Sequence, residues 1–354
     1  MRIVQLLSTI AFGDAVGNDT IAVRRLIEEL SYDTEIYAQN IDPRLKKGTA
    51  KKINHLPKLN KKDIILYHMS TGTDLNYQIA DYPGRKIMVY HNITPYEYFY
   101  GYSKANYDLT YLGREGLNFL KDKVERCFAD SEYNKTDLRE AGYACPIDVL
   151  PIIVPFDDYD KTPNQEILKQ YDDDWVNILF VGRIAPNKKH EDIIRAFAFY
   201  KTYINQKSRL FLVGSNNGLE AYYRQLKRYI HMLGISDVIF TGHTKFDQIL
   251  AYYKLADVFL CMSEHEGFCV PLLEAMHFDV PVIAFKAAAV PDTMGDSGIV
   301  VDEKNPALTA KLIERLMNDT ELREAVISGQ RSRLKDFSYE RTKETFRKLI
   351  TDCL

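Results

Sequence analysis

The fold is decided by one unit of strand, loop and helix start, which reads Val258-Phe259-Leu260-Cys261-Met262-Ser263-Glu264-His265-Glu266-Gly267-Phe268-Cys269-Val270-Pro271-Leu272-Leu273-Glu274. The apolar run at its start predicts a buried strand, and Pro271 is typical of the first turn of a helix. Repeated units of this kind build parallel sheets, and ligands bind beyond the carboxyl ends of the strands. We therefore expect the functional residues in loops such as this one.

The same pattern recurs along the chain, where short apolar runs rich in β-branched and aromatic residues alternate with segments of helical period. In the first half, the predicted strands are Ile3 to Leu7, Thr34 to Ala38, Ile64 to Tyr67, Lys86 to Tyr90, Cys127 to Ala129 and Ile147 to Leu150. In the second half, they are Val176 to Val181, Arg209 to Val213, Val238 to Thr241, Val258 to Met262, Pro281 to Phe285 and Ile299 to Val301. The sequence thus predicts an α/β protein with two parallel sheets.

A segment rich in proline and acidic residues, Pro151 to Asp174, interrupts this pattern and marks a domain boundary. A length of 354 residues suits two domains. We predict Rossmann-like domains over residues 1–155 and 156–336, facing across a cleft, and a final segment, 337–354. The final segment contains a helix with Ser338 as its N-cap and is a candidate to cross back to the N-terminal domain.

The composition excludes several classes of protein. With 46% hydrophobic and 27% charged residues and a net charge of −3, the chain is neither disordered nor suited to attract nucleic acid as a whole. The apolar run at the N-terminus is too short for a signal peptide or a spanning helix. The five cysteines lack metal-ligand spacing and fit free thiols in a reducing cytoplasm.

Two cations follow the strand from Val176 to Val181, on the loop Gly182-Arg183-Ile184-Ala185-Pro186-Asn187-Lys188. Arg183 and Lys188 could converge on one anion, and a loop that leads into a helix adds free backbone N–H groups. The expected ligand of this loop is a phosphate or diphosphate. The alternative is that both residues are ordinary solvated surface cations.

The two glutamates of the opening stretch occupy different positions. We expect Glu274 in the first turn of a helix, where the helix dipole favours its charge and a ligand hydroxyl could be bound. Glu266 lies on the glycine-containing loop and is free to meet another part of the ligand. The alternative makes Glu274 only a partner of the helix dipole and Glu266 a solvated acid.

Taken together, these motifs resemble those of family 4 retaining glycosyltransferases of the GT-B fold. That family carries two glutamates separated by seven residues, which here reads Glu266-Gly-Phe-Cys-Val-Pro-Leu-Leu-Glu274. Other matching segments, in the family's order, are Gly182-Arg183 with Lys188, Phe240 to His243, Ala256-Asp257 and Val290-Pro291-Asp292. The resemblance covers most of the chain and is strongest from Val176 to Asp302.

The resemblance implies a role for each matching residue. Arg183 and Lys188 neutralise the diphosphate, Glu274 holds the ribose hydroxyls and Glu266 contacts the donor sugar. The implied catalytic residues are Glu266, His91, Arg183 and Lys188. The implied nucleotide-sugar-binding residues are Glu274, Gly13, Gly182, His243, Thr244, Gly267, Phe268, Cys269 and Val270.

Three loops after other strands complete the comparison with the family. His91, after the strand ending at Tyr90, matches a histidine that approaches the reacting sugar, although a lone histidine is more often structural. The loop from Phe12 to Asp19 keeps Gly13 and Gly17 but lacks the family's adjacent glycine pair. Ala287 to Ala289 stand where many relatives have glycines.

The implied reaction moves a hexose from a UDP- or GDP-linked donor to a sugar or lipid-linked saccharide, with retention of configuration, in polysaccharide or glycoconjugate biosynthesis. No cofactor or metal is expected, since two cations bind the phosphates. The alternatives are an epimerase or phosphorylase of the same fold and a non-catalytic partner subunit. Such a subunit would be expected to have lost a phosphate-binding cation or a motif glutamate.

Two charged segments remain. The basic stretch consists of Arg44, Lys46, Lys47, Lys51, Lys52, Lys58, Lys61 and Lys62. A basic stretch of this kind usually forms a solvated face. The alternative is peripheral contact with the inner face of an anionic membrane. The run Asp172 to Asp174 precedes a strand, on the side of the sheet away from ligands, so a solvated linker is favoured over a metal site.

Overall fold

The computed structural model describes residues 1–353 and divides the chain into two compact units. The first unit contains residues 1–97 and 105–155 together with the segment that begins at Phe337. The second contains Tyr98–Lys104 and Phe156–Asp336. Each unit is built on one parallel sheet, so the predicted fold class is confirmed.

The first sheet has seven strands in the order β3-β2-β1-β4-β5-β6-β7. Its strands are β1 Ile3–Ile10, β2 Thr34–Ile41, β3 Lys51–Lys52, β4 Ile64–Met69, β5 Arg85–Tyr90, β6 Arg126–Ala129 and β7 Ile147–Val149. All neighbouring strands pair in parallel. The strand order reverses between β1 and β4, so the loops after these two strands lie at the switch point where such sheets bind ligands.

The second sheet has six strands in the order β10-β9-β8-β11-β12-β13, again all parallel. Its strands are β8 Val176–Val181, β9 Ser208–Val213, β10 Val238–Gly242, β11 Val258–Cys261, β12 Val282–Phe285 and β13 Ile299–Val301. Its switch point lies between β8 and β11, which pair through Ile178 opposite Val258. The two motifs singled out in the sequence follow these two strands.

Helices connect the strands in both units. The α-helices are α1 Ala15–Glu29, α2 Leu75–Gln78, α3 Lys104–Leu120, α4 Glu132–Glu140, α5 Gln165–Gln170, α6 His190–Tyr203, α7 Glu220–Met232, α8 Phe246–Leu255, α9 Val270–His277, α10 Val290–Met294, α11 Pro306–Asn318, α12 Thr320–Leu334 and α13 Tyr339–Thr351. Short 3₁₀ helices span Ile53–His55, Ile79–Asp81, Tyr96–Phe99, Phe156–Asp160, Pro186–Lys188 and Lys335–Phe337. None of the helices within residues 1–353 is both long and apolar enough to cross a lipid bilayer.

The final helix α13 packs on the first unit. Phe346, Leu349 and Ile350 lie on one face of α13, and they join a buried cluster with Val23 and Ile27 of α1. Burying each such side chain stabilises the fold by about 1.5–3 kcal/mol. The C-terminal segment is therefore part of the core of the first unit, although the second unit separates it from the rest in sequence.

Candidate functional site

In the second unit, the loops that follow β8 and β11 contact each other. Asn187 donates from its side-chain amide to the backbone carbonyl of His265 at 3.0 Å. The backbone amide of Glu264 donates to the carbonyl of Asn187 at 2.9 Å. Because β8 and β11 are neighbours, the two motifs that the sequence separates by about eighty residues form one surface at the switch point.

Lys188 and Glu266 form an ion pair at the centre of this surface. The Nζ atom of Lys188 lies 2.5 Å from Oε2 of Glu266, and the two side chains are 21% and 8% exposed. Burial alone would lower the pKa of Lys188, but the charge of Glu266 and its hydrogen bond, together with the nearby Cys269 and Cys261, more than offset burial and leave the pKa raised. The lysine is therefore held as a cation beside a carboxylate, at the end of the 3₁₀ helix Pro186–Lys188.

Glu274 does not lie where the sequence placed it. Helix α9 begins at Val270, so Glu274 is its fifth residue, and the predicted position in the first turn is wrong. The helix begins before Pro271 because Cys269 takes a left-handed conformation, with φ of 73°, and acts as the N-cap. The dipole at the helix N-terminus therefore acts on Glu274 less strongly than predicted, because its effect falls off within the first turn.

Two tyrosines hold the carboxylate of Glu274. The hydroxyl of Tyr159 donates to Oε1 at 2.6 Å, and that of Tyr253 donates to Oε2 at 2.5 Å. Burial raises the pKa of Glu274, and the two hydrogen bonds oppose that rise. An ionised carboxylate has about four acceptor positions, so about two remain for other donors. Sequence reasoning missed Tyr159 because it lies in the proline- and acid-rich segment interpreted as a boundary.

Arg183 lies on the exposed part of the loop after β8 and donates to the backbone carbonyl of Asn217 at 3.2 Å. The preceding Gly182 is in close contact with Gly214, which follows β9. A Cβ atom on Gly214 would lie 2.0 Å from the carbonyl oxygen of Gly182. The backbone path that leads to Arg183 therefore requires glycine at position 214.

The other predicted binding residues of the second unit lie on two further loops. His243 and Thr244 follow β10, where the Thr244 hydroxyl donates to the carbonyl of Gly242 at 3.0 Å. Gly267 to Cys269 lead into α9, whose first residue is Val270, and the Thr293 hydroxyl donates to the carbonyl of Phe268.

The alanine-rich loop also contacts the loop that carries Glu266. The backbone amide of Ala289 donates to the carbonyl of Glu266 at 3.3 Å. Ala288 has a φ of 49°, which is a left-handed conformation that favours glycine. The backbone here adopts the shape that a glycine would adopt most easily, although the sequence supplies alanine.

In the first unit, His91 belongs to a buried network that the sequence did not reveal. Its Nδ1 lies 2.9 Å from Oδ2 of Asp130, and its Nε2 lies 2.8 Å from Nδ1 of His68. His68 in turn places its Nε2 2.9 Å from Oε1 of Gln5. The His91 side chain is 0% exposed. Both of its ring nitrogens are thus occupied by protein partners.

One assignment of the protons is consistent with all three hydrogen bonds of the network when Oε1 of Gln5 is the acceptor at its end. Oε1 of Gln5 can only accept, so His68 donates from Nε2 and its Nδ1 accepts a proton from His91. His91 then donates from both nitrogens and is an imidazolium. Burial lowers the pKa of His91, but Asp130, followed by Asp19 and Asp14, more than compensates and leaves it raised. Burial lowers the pKa of His68, so that ring stays neutral.

Gly13 lies in the turn between β1 and α1, with a φ of 76°. Helix α1 begins at Ala15, earlier than the loop Phe12 to Asp19 suggested, because the Asp14 carboxylate caps it by accepting from the Gly17 amide at 2.6 Å. Gly17 therefore lies inside the helix. A Cβ atom there would lie 2.6 Å from the carbonyl oxygen of Ala11, so this turn requires glycine at position 17.

The charged segments noted in the sequence are partly paired. In the basic stretch, Arg44 binds Asp42 at 2.7 Å and Lys51 binds Glu35 at 2.6 Å. In the acidic run, Asp174 binds Lys207 at 2.6 Å. Contact of the basic stretch with a membrane stays a prediction.

Comparison with known proteins identifies the class. Residues 160–333 match the sequence profile of the family described as "Glycosyl transferases group 1". The whole chain superimposes on the structure of Anabaena HepE in complex with UDP-glucose with a TM-score of 0.75 and 18% identity, covering 99% of this chain and 100% of that one. The architecture is therefore that of the GT-B fold.

Two curated relatives match mainly the second half. A D-inositol 3-phosphate glycosyltransferase of Acidothermus cellulolyticus is 31% identical over 184 residues, which are 50% of this chain and 41% of the relative. A GDP-mannose-dependent alpha-(1-6)-phosphatidylinositol monomannoside mannosyltransferase of Mycobacterium tuberculosis is 28% identical over 222 residues, which are 59% of this chain and 56% of the relative. The chain thus spans about half the length of these relatives. The second unit thus matches the group 1 glycosyltransferases, and the predicted resemblance to a glycosyltransferase of the GT4 type is confirmed.

Proposed function

We propose that this protein transfers a hexose from a UDP- or GDP-linked donor to a saccharide or lipid-linked saccharide acceptor, with retention of configuration and without a metal cofactor. The single observation that carries this proposal is the ion pair of Lys188 with Glu266. It brings the cation that we assign to the diphosphate and the carboxylate that we assign to the sugar into one contact, beside the helix that carries Glu274.

Each residue has a task in the proposed reaction. Departure of the nucleoside diphosphate leaves negative charge on its oxygens, and Arg183 and Lys188 stabilise that charge. A preorganised donor of this kind is typically worth about 3 kcal/mol in the transition state. As Lys188 turns to the diphosphate, Glu266 is released from the ion pair and accepts hydrogen bonds from the sugar.

Glu274 binds the ribose in this proposal. Tyr159 and Tyr253 use about half of its acceptor positions and orient the carboxylate, so that the two ribose hydroxyls can donate to the remainder. Ribose is common to uridine and guanosine, so this contact is compatible with either base. Anabaena HepE binds UDP-glucose, and the mycobacterial relative is named for GDP-mannose. Both nucleotides therefore belong in the test.

The diphosphate oxygen that leaves the donor is the proposed acceptor of the incoming hydroxyl proton, so no protein nucleophile is required. His91 is proposed to contribute to transfer, as its match to the family's histidine implies. Its task is tested by substitution below.

The experiment is a thermal-shift screen of UDP, GDP and their hexose conjugates, followed by a transfer assay with the sugars that bind. A ligand that binds only the native state raises the melting temperature by mass action. We expect one nucleotide to stabilise the protein, and Glu274→Ala to abolish that shift while retaining the melting transition of the free protein. Absence of any shift with all UDP and GDP ligands would contradict the proposal, and stimulation of transfer by added Mg²⁺ or Mn²⁺ would contradict metal independence.

A further inference from the structure

Two buried thiols flank the loop that carries Glu266. Cys261 ends β11, and Cys269 caps α9. One ligand atom from each of Cys261, Glu266 and Cys269 lies within 4.8 Å of the other two, and all three residues are buried. Two sulfurs and a carboxylate oxygen form a donor set that suits a thiophilic divalent cation such as Zn²⁺.

The backbone conformation of Cys269 supports a functional role for its thiol. Its φ of 73° lies in the left-handed region, where a residue other than glycine is strained. Glycine at this position would remove the strain. The chain instead carries a thiol there, next to a second thiol and a carboxylate, and strained residues of this kind are concentrated at functional sites.

We infer that Cys261, Cys269 and Glu266 bind a thiophilic divalent cation and that this cation competes with the donor sugar. On binding, the two thiols release their protons to solvent and the resulting thiolates ligate the metal with one carboxylate oxygen. A water molecule completes the tetrahedron. The competition rests on the function proposed above, whereas metal binding itself does not depend on it.

Competition follows from the partners of Glu266. Its Oε2 contacts Lys188 at 2.5 Å, so a metal bound to this carboxylate weakens the ion pair. The same metal occupies the carboxylate that we assign to the sugar. A bound cation therefore prevents donor binding and leaves the remainder of the fold unchanged.

The first unit provides a matched control. The Sγ atoms of Cys127 and Cys145 lie 3.7 Å apart. Among residues 1–353, no carboxylate or imidazole joins this pair to form a set of three ligands. The two pairs therefore differ in the third ligand, and replacing Cys145 removes the competing thiol pair without changing the proposed site.

The experiment titrates the full-length chain with Cd²⁺ under a phosphine reductant and follows the thiolate-to-metal absorption band. We expect the Cys145→Ser variant to bind one Cd²⁺ per chain at this site. Adding Cys261→Ala or Cys269→Gly should weaken Cd²⁺ binding by at least about 10-fold, because even outer-shell changes cost that much. Glycine suits the backbone at position 269, so that variant should retain the fold. Unchanged affinity in either variant, or no band in Cys145→Ser, would overturn the site.

A second measurement tests the competition. Zn²⁺ should inhibit transfer by the Cys145→Ser protein, and adding Cys261→Ala should raise the inhibitory concentration at least about 10-fold. Equal inhibition of both proteins would overturn the competition. If the proposed transfer failed with every donor, the Cd²⁺ titration would still report on the metal site, so the two failures are distinguishable.

Discussion

The second unit and the first unit hold their candidate site residues in different ways. In the second unit, Lys188 and Glu266 form a partly exposed ion pair, and Glu274 is held by two hydroxyl groups. In the first unit, His91 is enclosed, and each of its ring nitrogens is bound by another side chain. The first arrangement can exchange protein partners for a ligand, and the second is already complete.

The two sites differ in the number of hydrogen-bonding positions that remain for a ligand. Lys188 has three N–H donors and can turn from Glu266 to a ligand, and Glu274 has about four acceptor positions and can keep both tyrosines while it binds a ligand. An imidazole ring has only two nitrogens. A ligand that hydrogen-bonds to His91 must therefore break its contact with His68 or with Asp130, at a cost of about 1–3 kcal/mol if the partner is left unsatisfied.

The largest expected effect is a loss of turnover when a cation is removed from the site in the second unit. Arg183→Ala should lower kcat by about 100- to 1,000-fold, because it removes a preorganised charge from the departing diphosphate. The measurement is steady-state transfer with the donor found in the thermal-shift screen. The matched control is Arg331→Ala, which removes an arginine paired with Asp279 on the surface of the same unit. Equal turnover of both variants would contradict the role of Arg183.

A smaller effect is expected in the first unit. His91→Ala should lower kcat by about 10-fold, the equivalent of one hydrogen bond to a charged group, and should lower the free energy of unfolding by about 1–3 kcal/mol. His231→Ala, on the exposed face of α7, is the control for loss of a histidine. A loss of stability with unchanged kcat would show that His91 is only structural.

A third effect is expected on the pH dependence of stability. Burial raises the pKa of Asp19, which lies beside His91, to about 7. A carboxyl whose pKa is raised by folding contributes stability that is complete below about pH 4 and is lost as the pH rises through about 7.

The variant Asp19→Asn removes this titration. Its side-chain oxygen can still accept from the backbone amide of Ile153, as Asp19 does at 2.9 Å. Denaturant unfolding at a series of pH values should show that the variant gains stability relative to the parent protein between about pH 4 and pH 8. An identical pH dependence in both proteins would contradict the raised pKa.

Much of the fold could be predicted because its strands are short apolar runs separated by helical segments. Every strand predicted from such a run is present, including β8 and β11, which position the site. The strand β3, Lys51–Lys52, was missed because two lysines at a sheet edge carry no apolar pattern. Local periodicity therefore identifies the buried strands and not this edge.

The site was predicted only as far as its residues follow one another in sequence. The spacing of Glu266 and Glu274 and the two cations after β8 were visible, whereas the strand order that brings the two loops together was not. Tyr159 could not be found, because its contact with Glu274 spans 115 residues and its own segment has no pattern. The network around His91 was also hidden, since His68 lies on β4 and Asp130 follows β6, far from His91 in sequence.

The most direct test of the central claim is a double-mutant cycle on Lys188 and Glu266, in which kcat/KM for transfer is measured for Lys188→Ala, Glu266→Ala and the double variant. Because the two residues act as one unit, we predict that each single variant loses about 100-fold or more and that the double variant is little worse than the poorer single variant. Losses that add fully would contradict the coupling. Full activity in either single variant would contradict the assignment of this ion pair to the donor site.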